Sequence, residues 1–259
     1  MPTTWNDLLK PGEANDFFSR PLPPFDPAIT QYNATNARWL AELCRLVYRD
    51  AGRTEFLKKA GLEEVRFFSA KGTQAFLVRS THEPRFAALV FRGTDDLNAW
   101  VTNLMFWKTP LGHGSQVHQG FRDALDAIWP EVRDALDNAG VPFFFAGHSL
   151  GGALATLAAA RRQPRALYTF GSPYVGNRTF VEALARIPIH RVVDAHDIVA
   201  TVPPPELGYA HAGELHVLEQ RKEIFRFDSL EKFRELVEKA AEPPEFLADH
   251  APINYVNRI

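Results

Sequence analysis

Residues 141–194 constrain this chain of 259 residues more than any other stretch. Apolar runs and helix-period segments alternate there: strand 141–147, helix 150–162, strand 166–171, helix 177–186, strand 189–194. Strands separated by helices at this spacing run parallel and are joined by right-handed crossovers, which places helices over the sheet. Upstream, residues 65–70, 74–80 and 86–91 are rich in β-branched and aromatic side chains and are separated by Lys71-Gly72 and Glu83-Pro84, so they read as a meander. Helical periodicity marks 33–49, through Ala37, Leu40, Ala41, Cys44 and Val47, and 121–138, through Ala124, Leu125, Ile128, Val132 and Leu136. Pro130 is expected to kink the second helix and Gly140 to cap it. No repeat or low-complexity linker divides the chain, so the expectation is one α/β domain over residues 1–259. Residues 1–30 form its N-terminal arm, which Pro11, Pro21, Pro23, Pro24 and Pro27 should keep extended on the surface.

Composition removes several function classes. Hydrophobic residues make up 46% and charged residues 23%, enough apolar side chain for a large core. The formal charge of −2 gives no bulk attraction for nucleic acid. The single cysteine, Cys44, excludes an internal disulfide and any CxxC metal or redox motif, and its apolar helical setting makes it core filler. No apolar run approaches a membrane span, and the first residues show no secretory signal, so a cytoplasmic setting is the expectation, with secretion after removal of a leader as the alternative. The charged stretch 228–241 carries Leu230, Phe233, Val237 and Ala240 on one face and reads as a surface helix with one buried stripe.

Chemistry concentrates in residues 143–152, FFFAGHSLGG, where an apolar strand runs into Gly147-His148-Ser149-Leu150-Gly151 and then into an alanine-rich helix. This is GxSxG in the strand–turn–helix setting that exposes a serine hydroxyl at a sharp bend. A hydroxyl is a poor nucleophile near neutral pH, so it needs a histidine to take its proton and a carboxylate to hold that histidine's tautomer. With this elbow the chain order is serine, acid, histidine. Asp197, three residues past the strand that ends at Asp194, is the better-placed acid, with Asp194 the second choice. His211, His216 and His250 all follow it; His216 alternates inside a further strand at 214–219, and order alone does not separate the other two. The backbone N–H of Leu150 and the N–H and hydroxyl of Thr94, at the end of the strand FAALVF, are the candidate oxyanion donors. Asp95 or Asp96 either holds that hydroxyl or caps the next helix.

Several motifs in order carry a resemblance: FRGT at 91–94, VHQGF at 117–121, GHSLGG at 147–152, FGSPYVGN at 170–177, DIVATVPP at 197–204, GYAH at 208–211 and DH at 249–250. Together they resemble the class 3 lipase family, the fungal-type triacylglycerol lipases. The resemblance implies an α/β-hydrolase-like fold, a mostly parallel central sheet flanked by helices with a short helical lid. It further implies a triad of Ser149, Asp197 and His250, an oxyanion hole of Thr94 and Leu150, and a supporting place for His211. Family members often carry asparagine where Asp194 stands, so a second carboxylate lies near the site. Secreted relatives have disulfides and a leader; with one cysteine and no secretory signal visible in the first residues, their extracellular setting is not expected to carry over.

Leu97, Trp100, Val101, Leu104 and Met105 form an apolar stripe at helical spacing directly after Thr94. The pattern alone fits a core helix equally well; the resemblance favours a lid over 95–108 that rolls away at a lipid–water interface. The expected function is hydrolysis of acylglycerols or similar lipophilic esters through an acyl-serine intermediate. A phospholipase A1 or feruloyl esterase preference, and a noncatalytic lipid-binding protein on the same scaffold, are the alternatives. GxxxxGK[ST], GxGxxG and HExxH are absent, no cofactor or metal is implied, and His113 with His118 belongs to a turn.

Overall fold

The computed structural model describes residues 3–94, 108–194, 196–219 and 240–259. A seven-stranded sheet in the order β1-β2-β3-β6-β7-β8-β9 runs through it. The antiparallel meander is β1 (Leu62–Ala70), β2 (Thr73–Ser80) and β3 (Ala87–Phe91). Parallel pairing starts at β3 and continues through β6 (Phe143–His148), β7 (Leu167–Phe170), β8 (Ile189–Val193) and β9 (Glu214–Val217). The elements therefore stand where the alternation puts them, with ends moved by a few residues. Pro142, which has no N–H, stays outside β6 and instead accepts from the Ala87 N–H at 2.9 Å.

Side chains alternate across the sheet with a period of two. Phe76, Val78, Ala88, Val90, Phe144, Ala146, Tyr168 and Phe170 pack on one face, under α2 (Ala34–Leu46) and α8 (Pro252–Arg258). Ala75, Leu77, Ala87, Leu89, Phe91, Phe145 and Leu167 pack on the other, under α4 (Gln119–Asp137) and α5 (Leu150–Arg161). The helix α4 buries Phe121, Leu125, Ile128, Val132 and Leu136, one stripe at helical spacing, and runs through Pro130. Its cap is Asn138, and Gly140 turns the chain just beyond it at φ +64°. The alanine-rich α5 is buried from Gly151 through Ala159, which the small side chains allow between sheet and α4. Cys44 is a buried free thiol in the first of these clusters.

Two expectations need correction. The N-terminal arm does not simply lie on the surface. Trp5–Leu9 form α1, capped by a reciprocal pair between Thr4 and Asp7, and Phe17, Phe18 and Phe25 are buried in the core. Phe25 stacks on Phe86 at 4.1 Å between ring centroids and meets Phe144 edge-on at 4.9 Å. Burying a phenylalanine is worth about 1.5–3 kcal/mol, so the arm closes one face of the sheet. A hairpin absent from the sequence reading joins β4 (Lys108–Gly112) to β5 (Ser115–His118), with His113 at its turn and His118 at the end of β5. Leu97, Trp100, Val101, Leu104 and Met105 of the expected lid, Asp95 and Asp96, and most of the 228–241 stripe lie outside the described residues. Among the described residues no helix is long and apolar enough to cross a membrane.

Candidate active site

Ser149 sits between β6 and α5 with φ +59° and ψ −131°, a backbone region that costs a side-chain-bearing residue about 1–3 kcal/mol. Two glycines make the bend possible. A Cβ on Gly147 would lie 2.1 Å from the Gly151 carbonyl, and one on Gly151 would lie 2.1 Å from the Phe91 carbonyl oxygen. The helix can therefore start hard against the strand ends, and the Ser149 N–H is held by Phe170 O at 2.9 Å. Leu150 is the first residue of α5, where a backbone N–H has no partner within the helix. Phe91 pairs with Gly147 across β3 and β6, so the segment ending in Thr94 leaves the sheet beside the elbow.

The imidazole comes from the other end of the chain. His250 follows α7 (Glu245–Ala248) and its Nδ1 lies 2.7 Å from Asp197 Oδ2. A carboxylate oxygen only accepts, so Nδ1 carries the proton and Nε2 keeps its lone pair. Asp197 stands on the loop after β8, where its Oδ1 accepts from the Val199 N–H at 2.9 Å. Its Oδ2 accepts a second bond from the Tyr255 hydroxyl at 2.5 Å. That hydroxyl in turn accepts from the Asp194 N–H at 3.2 Å. Burial and the neighbouring Asp197 and Asp194 carboxylates push the Tyr255 phenol well above its ordinary range, so it stays a donor.

His148 ties the elbow to the histidine loop. Its Nε2 lies 2.7 Å from the His250 carbonyl and its Nδ1 lies 3.0 Å from the Tyr48 hydroxyl. The carbonyl requires a donor, so His148 is the Nε2–H tautomer and Tyr48 donates to Nδ1. Burial, with His250 adding to it, holds the His148 pKa well below the usual imidazole range and keeps the ring neutral. The two rings stand 4.5 Å apart between centroids. The residue beside the serine thus fixes the backbone of the histidine.

Two buried atoms at this place have no hydrogen-bond partner among the described residues: Ser149 Oγ and His250 Nε2. They are the pair between which a proton has to pass in serine chemistry.

The other acids and histidines have different surroundings. Asp194 is fully buried and paired with Arg258, whose Nη1 also donates to Asp249 Oδ1 at 2.9 Å. Burial pushes the Asp194 carboxyl up to about 6 against the opposing pull of Arg258. His211 Nε2 donates to Ala200 O at 2.8 Å, its ring stacks on Tyr174 at 3.5 Å, and burial pulls its pKa down to about 3. His216 stacks on Tyr32 at the sheet edge. Tyr255 and Tyr48 are the residues that sequence reasoning missed, since no motif spacing singles out a tyrosine five residues past a histidine or one in the turn after α2.

The class 3 lipase family model matches residues 88–207. A Rhizomucor miehei lipase is 34% identical over 160 residues, 55% of this chain and 44% of that protein. The solved Rhizomucor miehei triacylglyceride lipase is 30% identical with a TM-score of 0.55, over 61% of this chain and 67% of that one. The chain belongs to the class 3 lipase family. The lipase from Rhizopus microsporus var. chinensis shares the fold over more of the length, with a TM-score of 0.62 and 27% identity over 78% of this chain and 80% of that one. The fold is that of the α/β-hydrolases, a mostly parallel sheet flanked by helices. The chain spans less than half the length of the curated relatives it first matches, 44% and 40%.

Proposed function

We propose that the chain is a serine carboxylic ester hydrolase that cleaves acylglycerols or similar lipophilic esters through an acyl-Ser149 intermediate. One observation carries the reading: the His250 Nδ1–H bonds Asp197 Oδ2 at 2.7 Å while His250 Nε2 and Ser149 Oγ stay buried and unpartnered among the described residues. In this reading Ser149 Oγ attacks the ester carbonyl carbon as its proton passes to His250 Nε2, and Asp197 stabilises the imidazolium. The oxyanion takes hydrogen bonds from the Leu150 N–H and from Thr94. Collapse of the tetrahedral intermediate expels the alcohol, which leaves with the proton from His250. Water then repeats the sequence on the acyl-serine and releases the acid. The lipophilic substrate rests on the family, whose relatives are named lipases, and on the apolar stripe from Leu97 to Met105, which would meet a lipid–water interface.

The direct test is covalent. A fluorophosphonate phosphonylates an activated serine, the new O–P bond replacing P–F with loss of fluoride, so peptide mass spectrometry is expected to find one adduct per chain, on Ser149. An unlabelled Ser149 in folded protein overturns the assignment.

Gly171 provides a second test. It has φ +56°, and a Cβ there would lie 2.2 Å from Asp197 Oδ2 and 2.9 Å from His250 Nδ1. Gly171→Ala therefore displaces the acid–imidazole pair without touching the nucleophile. A shift of about 1 Å in a reacting group costs roughly a hundredfold, and kcat/KM on a soluble p-nitrophenyl ester is expected to fall by about that factor. Parental turnover in this variant would mean that the pair is not held by the 171 backbone.

A further inference from the structure

The edge of the sheet opposite the meander holds a second cluster of chemistry-bearing side chains. In β8 and β9 the register pairs His190 with Glu214 and Val192 with His216. Period-two alternation puts His190, Glu214 and His216 on one face. Their ligand-capable atoms all lie within 4.8 Å of one another. His190 is buried, and its Nε2 donates to the Thr30 carbonyl at 2.8 Å, which leaves Nδ1 as the lone-pair nitrogen. That Nδ1 and His216 Nε2 are both buried with no hydrogen-bond partner among the described residues. His216 Nε2 stands 3.7 Å from Glu214 Oε2. Tyr32 stacks flat on the His216 ring at 3.9 Å and approaches His190 edge-on at 5.9 Å, so one aromatic ring walls the pair.

Packing alone explains the stacked rings but not two buried imidazole nitrogens left unpartnered among the described residues in a cluster with a carboxylate. A divalent cation would satisfy both. An imidazole that donates its far N–H to a backbone carbonyl while its other nitrogen stays open is also the usual arrangement of a metal-ligating histidine. We propose that His190, Glu214 and His216 form a site for a borderline divalent transition-metal ion, zinc above all, with water in the remaining position. Two imidazoles and one carboxylate are a donor set that suits zinc and exclude a hard cation such as calcium, which takes six to eight oxygens. Tetrahedral bonds of about 2.1 Å space ligand atoms by about 3.4 Å, so closing on the ion needs the Glu214 side chain, which is exposed, to swing inward.

Such an ion would clip β8 to β9. The loop between these strands carries Asp197 and His211, so the clip would hold both ends of the segment that presents the proposed catalytic acid. No short motif announces the site, because its ligands come from two strands with that loop between them. It stands independently of the proposed ester chemistry.

The experiment uses the full chain, stripped with a chelator and titrated with zinc sulfate by calorimetry, with cobalt(II) absorption as a spectroscopic check. Expected are one equivalent of zinc, a rise in melting temperature, and a cobalt band in the visible. Glu214→Gln and His216→Ala are chosen because neither side chain is fully buried; each is expected to weaken zinc at least about tenfold, no less than losing an outer-shell partner does, and to remove the cobalt band. Fluorophosphonate labelling of Ser149 is expected to proceed equally with and without zinc. The proposal is overturned by an absence of one-to-one binding, by variants that fold as the parent does and bind zinc equally well, or by zinc blocking the labelling, which would put the ion on His250.

Discussion

Ser149→Ala is expected to lower kcat/KM for p-nitrophenyl esters by about a millionfold, and His250→Ala by nearly as much. In the proposed mechanism the two residues form one device. Without Oγ there is nothing for the imidazole to deprotonate, and without Nε2 the hydroxyl keeps its proton. The double variant is therefore expected to be no slower than either single one, which separates a shared step from two independent contributions. Residual hydrolysis of about a thousandfold over water is expected from the oxyanion donors and binding alone. The alanine should fold normally, since at φ +59° it meets the same backbone strain as serine and removes only a buried hydroxyl without a partner among the described residues. Steady-state kinetics beside circular dichroism and a melting curve check both halves. A Ser149→Ala protein that retained more than a trace of turnover would move the nucleophile elsewhere.

The parts of this site legible in the sequence are those fixed by short-range geometry. The elbow is one: Gly147 and Gly151 are required because a strand and a helix meet at van der Waals distance, and that demand is written in five consecutive residues. The candidate acid's position follows from strand order, since Asp197 lies just past the end of a parallel strand. The base was different. His211 and His250 both follow the candidate acid, and chain order gives no reason to prefer one; only the family resemblance implies His250. The structure puts His250 on Asp197 and gives the Nε2 of His211 to the Ala200 carbonyl. What decides between them is tertiary packing through Tyr255 and His148, residues that reach the loop from α8 and β6. The N-terminal arm failed for a related reason. Prolines report local backbone conformation, correctly extended over much of the arm, but say nothing about whether irregularly spaced phenylalanines find a sheet face to cover. The hairpin of β4 and β5 was hidden by short strands and by Pro110, although Gly112-His113-Gly114, all with positive φ, marks its turn.

Asp197→Asn is expected to reduce kcat/KM by about ten-thousandfold, while Asp194→Asn leaves it close to the parent's. An asparagine at 197 can offer its amide N–H to His250 Nδ1, which then accepts and shifts the proton to Nε2, where a general base must be empty. The loss comes from the wrong tautomer and leaves the fold in place. Asp194 faces Arg258 and hydrogen-bonds the relay through its backbone alone, its N–H given to Tyr255 and its carbonyl accepting from the Asp197 N–H at 2.8 Å, bonds that asparagine retains; its carboxylate reaches Tyr255 and Asp197 only through space. Its carboxyl should show instead in stability. The folded value near 6 lies above the ordinary 3.8, so the folded chain holds this proton where the unfolded chain has released it. The stabilisation from that proton is complete below about pH 4 and fades as pH climbs to about 6. Asp194→Asn removes this slope, and urea unfolding across that window is expected to show the variant gaining on the parent as pH rises. Should the two asparagine variants exchange their kinetic effects, the proton relay would run through the carboxylate at the end of β8, and the 2.7 Å bond between His250 and Asp197 would be structural.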